Sequence, residues 1–346
     1  MKVQKQQFWP INQLFVFLAA LFIVFALLKA SSDLLVPLLI AIAVSIMLSP
    51  LFSFMEAKGI PRAVSLILVT IVILIPIVVL GGYLGGEVQD FAQNYETMKK
   101  AFNEWLLKLS HLDDKFGLNI TQDDITKALS SLNMTELVKS LVSQTKDQFS
   151  NLFLIFFIVA FILMESDFLY NKLVKIMSVR GGDLEGSMQI IEKVKKYFLI
   201  KVKTSLITGV WALVVLWFYD INYAILWATL AFFLNFIPVI GSILAAVPAV
   251  VVALVDQGLM TGVWVALWYI TINMVIGNIL EPRIMGKGLG LSALVIFVSM
   301  TFWGWMFGPA GMILSVPLTM GMQYLFDQYD ETKWVAFMLS DYEKEK

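Results

Sequence analysis

Long apolar runs divide the chain at Ile11 to Leu28, Leu34 to Phe54, Ala63 to Leu84, Leu152 to Met164, Ser205 to Phe218, Tyr223 to Val255, Gly262 to Leu280 and Leu291 to Phe326. About 20 apolar residues carry a helix across a bilayer, so the pattern predicts an all-α polytopic membrane protein with about eight membrane segments. The sixth and eighth runs are too long for one straight crossing. Each holds helix breakers, Pro238 and Gly241 in the sixth and Gly308, Pro309 and Gly311 in the eighth, so each is expected to be a broken helix or a re-entrant hairpin. The fourth run is short, and its helix is expected to begin near Phe149 and continue past Glu165. A helical extramembrane module is expected between the third and fourth segments. The resulting division is 1–86 for the first three membrane helices and 87–150 for the module. A fourth membrane helix with a basic interfacial helix follows at 151–204, a core with the broken helices at 205–327, and a cytoplasmic tail at 328–346.

Composition agrees with the membrane reading. Hydrophobic residues make up 59% and charged residues 15%, with mean hydropathy +0.81, against roughly 25% charged in a soluble domain. Cysteine is absent, which removes disulfides, thiolate nucleophiles and cysteine metal sites, and the single histidine, His111, lies in a polar segment. A net charge of −1 argues against nucleic acid as a partner. Lys2 and Lys5 precede an apolar run as in a signal peptide, but no small-residue cleavage site follows and Ile11 to Leu28 is long enough to remain as a span. Basic residues set the orientation: Lys58 and Arg62 follow the second span, and Lys172, Lys175, Arg180, Lys193, Lys195, Lys196, Lys201 and Lys203 follow the fourth. Both termini are therefore expected on the cytoplasmic side.

In the extramembrane segment, Phe91, Tyr95, Met98, Phe102, Trp105, Leu106 and Leu109 recur at spacings of three and four, the stripe of an amphipathic helix. Packing against a neighbouring helix or subunit is the favoured reading of that stripe, and a homo-oligomer is expected. The pairs Asp113/Asp114 and Asp123/Asp124 lack the alternating oxygen ligands and loop glycine of a calcium site; a helix cap at Thr121 is expected instead. The basic run Lys193 to Lys203 reads as an interfacial helix held by anionic lipid.

The densest chemistry lies in Gly277 to Gly286, GNILEPRIMG, where an acid, a proline and a base fall between apolar stretches. Ionisable groups at membrane depth point to function. Two further segments interrupt apolar spans, Asn235 to Gly241 and Gly308 to Pro317. They share a local pattern, GSILAAVP from Gly241 against GMILSVP from Gly311, each closely preceded by a proline. A paired interruption of this kind is the sequence pointer to a transporter site, because unwound backbone leaves amide groups for substrate, ion, water or other protein.

These stretches, together with Gly288 to Ser292 and Trp303 to Trp305, resemble the autoinducer-2 exporter family, and the spacing of the apolar runs agrees over nearly the whole chain. The resemblance implies a multi-pass protein of the bacterial inner membrane that exports the quorum-sensing signal autoinducer-2. Other members are linked to sodium or lithium/proton antiport.

Autoinducer-2 is small, uncharged and heavily hydroxylated, so its site should offer hydrogen bonds, which Asn235, Asn273 and Asn278 could supply. Glu281 is the best-placed acid for proton coupling, provided burial favours its neutral form; otherwise it forms a structural ion pair with Arg283. The expected substrate or ion site thus comprises Asn235, Pro238, Gly241, Asn273, Asn278, Glu281, Arg283, Gly308, Pro309 and Gly311, while Asp220 and Asp256 are expected to close short turns. The expected partners are the lipid bilayer and a small polar solute or a monovalent cation or proton; no cofactor or metal is expected. A secondary transporter is favoured, driven by an ion gradient because no phosphate-binding glycine loop is present. A passive channel or an oligomeric scaffold is the competing class. An enzyme is not expected, since no zinc-protease motif, deeply placed aspartate dyad or Ser/His couple occurs.

Overall fold

The computed structural model describes residues 11–116, 152–166, 168, 171–172, 174–176, 184–238, 240–285 and 290–341. Among them every regular element is helical. In chain order these are α1 (Ile11–Ala30), α2 (Ser32–Ala57), α3 (Arg62–Phe116), α4 (Leu152–Met164), α5 (Leu184–Phe218), α6 (Ala224–Leu234), α7 (Gly241–Gln257) and α8 (Leu259–Asn273). A π-helix (Met274–Leu280) then leads into α9 (Glu281–Met285), followed by α10 (Ala293–Asp327) and α11 (Lys333–Leu339). Five helices are long and apolar enough to cross a membrane, α2, the first part of α3, most of α5, α8 with its π extension, and α10.

Both interrupted runs fold into helical hairpins. In the first, α6 ends at Leu234, the chain turns through Asn235 to Ile240, and α7 runs back. Small residues let the two legs approach closely: Ala228 and Ala231 share a core with Ala245, Ala249 and Ala253. In the second, α10 is continuous except at Gly308, whose φ of 63° and ψ of −150° are non-helical. Trp303 Nε1 donates to Thr319 Oγ1 at 3.0 Å, although a straight helix would hold residues 16 apart at about 24 Å. The chain therefore doubles back at Gly308.

The sequence similarity of the two interruptions has a structural counterpart. Gly241 and Gly311 each open the returning leg, and each is packed so tightly that a Cβ would run into a backbone carbonyl of the outgoing leg, Leu234 in one case and Trp303 in the other. The same hypothetical Cβ would press on Ile237 or Phe307, four residues earlier in both hairpins. Only glycine permits that approach. The first hairpin packs on the C-terminal half of α5 through Ala212 and Leu216, and the second on its N-terminal half through Val194, Tyr197 and Phe198.

Three features differ from the expectations. The basic run Lys193 to Lys203 is no separate interfacial helix but part of α5, which runs unbroken into the fifth apolar stretch because neither glycine nor proline lies between Lys203 and Ser205. The described part of the Gly277 to Gly286 motif, through Met285, does not break its helix but passes from a π-helix into α9, and Gly286 lies outside the described residues. Third, α3 continues without a break from the third apolar run past residue 86 to Phe116, a length of about 80 Å that far exceeds a bilayer core. The start of that extension packs on this chain itself. Phe91 stacks edge-on against Tyr223 and Trp227 with centroids 5.4 and 5.1 Å away, and Tyr95 and Met98 pack on the same core. Thr121, Asp123, Asp124 and the rest of 117–151 lie outside the described residues, as do the side chains of Trp105, Leu106 and Leu109.

The open end of the first hairpin is tied by polar contacts. The Asn222 backbone N–H donates to Asp256 Oδ2 at 3.1 Å, and Gln257 Nε2 donates to the Asp220 carbonyl at 3.2 Å. Asp220 thus lies in the turn before α6, and Asp256, in the last turn of α7, closes it.

Candidate functional site

Along α5, Lys201, Thr204, Ser205 and Thr208 are buried, and their spacing of three, four and seven places them on one helix face. This polar stripe meets the turn of the first hairpin and the end of the π-helix. Lys201 Nζ lies 2.7 Å from Glu281 Oε1 and 3.4 Å from the backbone carbonyl of Asn235. Thr204 Oγ1 adds a second bond to Glu281 Oε1 at 3.1 Å, and Asn235 Nδ2 donates to Ser205 Oγ at 3.0 Å. The Lys201 and Glu281 side chains are 8% and 15% exposed. Removing one partner of a pair so withdrawn from water typically costs about 3–5 kcal/mol.

The cation that faces Glu281 is therefore Lys201, eighty residues away in sequence, and not its neighbour Arg283, which is exposed on α9. The π-helix is the local reason. A π-turn adds a residue to the helical circuit and rotates the residues beyond it, so the acid after Leu280 presents to α5.

Next to this pair lies a narrow cavity lined by Thr208, Ala231, Asn235, Ser242, Ala245, Tyr269, Ile272 and Asn273. Its free volume of about 10 Å³ is the room of a single water. The Tyr269 hydroxyl is buried with no hydrogen-bond partner among the described residues. A second, larger cavity of about 760 Å³ lies between α2, α5 and the two hairpin tips. Phe236 of the first turn and Gly308, Pro309 and Ala310 of the second line it together, with Phe198 from α5 and Ser32 and Asp33 at the start of α2. That volume falls within the 300–1,000 Å³ usual for small-molecule sites.

The expected site residues fall into three groups. Asn235, Asn273 and Glu281 gather around the α5 stripe; Pro238 is buried in the first turn and Gly241 supports it from the start of α7. Gly308 and Pro309 face the larger cavity, with Gly311 buried behind them. Asn278 on the π-helix and Arg283 on α9 are exposed and belong to neither cluster. Lys201, Thr204, Ser205, Thr208, Ser242, Tyr269 and Asp33 were not anticipated. The α5 residues carry a signal, a polar period of three and four beside an apolar span, but it is masked by the run of lysines before it.

A model of the AI-2E family transporter matches residues 14–331. The AI-2 transport protein TqsA of Escherichia coli is 34% identical over 330 residues, covering 95% of this chain and 96% of that protein. A transport-protein relative from Haemophilus influenzae is 35% identical, covering 94% of this chain and 95% of its own. YhhT of Escherichia coli is 32% identical, with 87% and 86% covered.

Proposed function

The chain belongs to the AI-2E transporter family, and from that premise we propose that it is a secondary carrier of the bacterial inner membrane, exporting autoinducer-2 or a similar small polar signal under an ion gradient. The observation that carries this reading is the meeting of both hairpin tips on one cavity of about 760 Å³. Hairpin turns free backbone polar groups at depth, where a hydroxylated solute can satisfy them. Phe198, Phe236, Met306 and Phe307 offer an apolar wall for a sugar-like ring, and Ser32 and Asp33 offer polar groups at one side. Glu281 serves as the coupling acid, with its counter-charge on α5.

A second reading, sodium or lithium/proton antiport, draws on the narrow cavity. Its lining carries oxygen atoms from Thr208, Asn235, Ser242, Tyr269 and Asn273, and its volume suits a bare cation or one water but not an organic solute. Purified protein in sealed vesicles separates these readings. Labelled autoinducer-2 should accumulate against its gradient when a proton or sodium gradient is imposed. Equilibration without accumulation identifies a channel. Sodium-driven proton movement with no autoinducer-2 uptake identifies the antiporter.

A further inference from the structure

An acid alone could couple transport to a proton, yet this site buries a lysine against it. We propose that Lys201 is a tethered cation that holds the tip of the first hairpin while Glu281 is charged, and lets it go when a proton or a sodium ion takes its place on the carboxylate. The inference deepens the ion-coupled carrier reading and rests on it.

The geometry joins charge to conformation through one atom. Lys201 Nζ reaches both Glu281 Oε1 and the carbonyl of Asn235, the first residue of the turn. Among the described residues, the other titratable groups around this pair are two phenols and a guanidinium, and none is a carboxylate to take over the ammonium. From α5, one turn before Lys201, comes the buried hydroxyl of Tyr197, and from α8 that of Tyr269, neither with a hydrogen-bond partner among the described residues. The π-helix MVIGNIL and the turn from Asn235 to Ile240 contribute no titratable side chain. Arg283 on α9 is exposed and of the wrong sign. Neutralising Glu281 therefore strands a buried ammonium, the costly state for any charge removed from water. The lysine can escape it by swinging its flexible stem toward water, and this surrenders the Asn235 carbonyl. The neutral oxygens of Thr204, Ser205 and Asn235 remain to accompany a proton or a sodium ion on the carboxylate.

The chain contains no cysteine, so a single introduced thiol reports on the tip. Phe236→Cys places it on the turn facing the larger cavity, and Glu331→Cys on an exposed position supplies the reference for the intrinsic pH dependence of thiol labelling. Maleimide labelling of full-length purified protein is expressed as the ratio of the two rates. Acidification, or sodium added at neutral pH, should raise the ratio by about tenfold or more, a floor well below the loss of one partner of a buried pair; which of the two acts identifies the displacing cation. In Lys201→Gln the ratio should be high and unresponsive. Lys201→Met combined with Glu281→Gln removes both charges without stranding either, and should show the same high, flat ratio. A parent ratio indifferent to both cations, or a parent-like response retained in the Lys201 variants, overturns the role of Lys201. Absent solute and ion transport in vesicles would instead overturn the carrier reading, and leaves the labelling response intact.

Discussion

At the scale of single residues, the site turns on which partner each charge finds. Glu281→Gln keeps the shape and the hydrogen bond from Thr204 Oγ1 but can neither release a proton nor balance Lys201. Vesicle transport by this variant should lose its pH dependence, and an unchanged pH profile would make Glu281 structural. Arg283→Gln should leave the melting midpoint of the purified protein nearly unmoved, because exposed substitutions fall within about 0.5 kcal/mol and Arg283 is exposed. A loss comparable to that of Lys201→Gln would restore the pairing of Glu281 with its sequence neighbour. The sequence singles out Glu281 as the acid of the strongest motif. It does not supply the cation, because adjacency along the chain says little about adjacency in space once a π-helix rotates the acid toward another helix.

At the scale of elements, glycine acts differently at each hairpin position. Gly241→Ala and Gly311→Ala force a Cβ against the carbonyls of Leu234 and Trp303, and overpacking of this kind typically costs about 1–3 kcal/mol. Gly308→Ala meets no neighbour within 4 Å, but its φ of 63° with ψ of −150° is a region reserved for glycine, at a cost of about 1–3 kcal/mol. Gly81→Ala lies in the open middle of α3 and should instead stabilise by about 0.5–1 kcal/mol, the helix preference of alanine over glycine. Thermal midpoints in one detergent compare all four, and no loss in Gly241→Ala and Gly311→Ala would contradict the hairpin packing. The paired GSILAAVP and GMILSVP segments made these hairpins legible in sequence. The π-helix was not, because nothing in MVIGNIL distinguishes a wide turn from an ordinary apolar one.

At the scale of the molecule, the long third helix lays the first residues of its apolar stripe, Phe91, Tyr95 and Met98, onto its own chain. Phe91 is 3% exposed against Tyr223 and Trp227, and Asn94 Nδ2 donates to the Tyr223 hydroxyl at 3.2 Å. Phe91→Glu should therefore unsettle the fold itself, at about 3–5 kcal/mol as for loss of a buried aromatic, with a lowered melting midpoint. If instead the midpoint holds and only the particle mass in detergent falls, the stripe faces a second subunit at this position.

What the sequence by itself determined is the solvent and the points of interruption. Apolar runs of bilayer length specify helices, since lipid leaves backbone polar groups no other partner, and Pro238, Gly241, Gly308 and Pro309 mark where those helices cannot continue. What only the tertiary structure decided is the pairing across the interruptions: Lys201 with Glu281, Trp303 with Thr319, Phe236 with Gly308 around one cavity. Helical periodicity fixes the face on which a side chain stands, but which faces meet depends on the directions in which two hairpins and a π-turn send the chain, and those arise from close contacts between residues far apart in sequence.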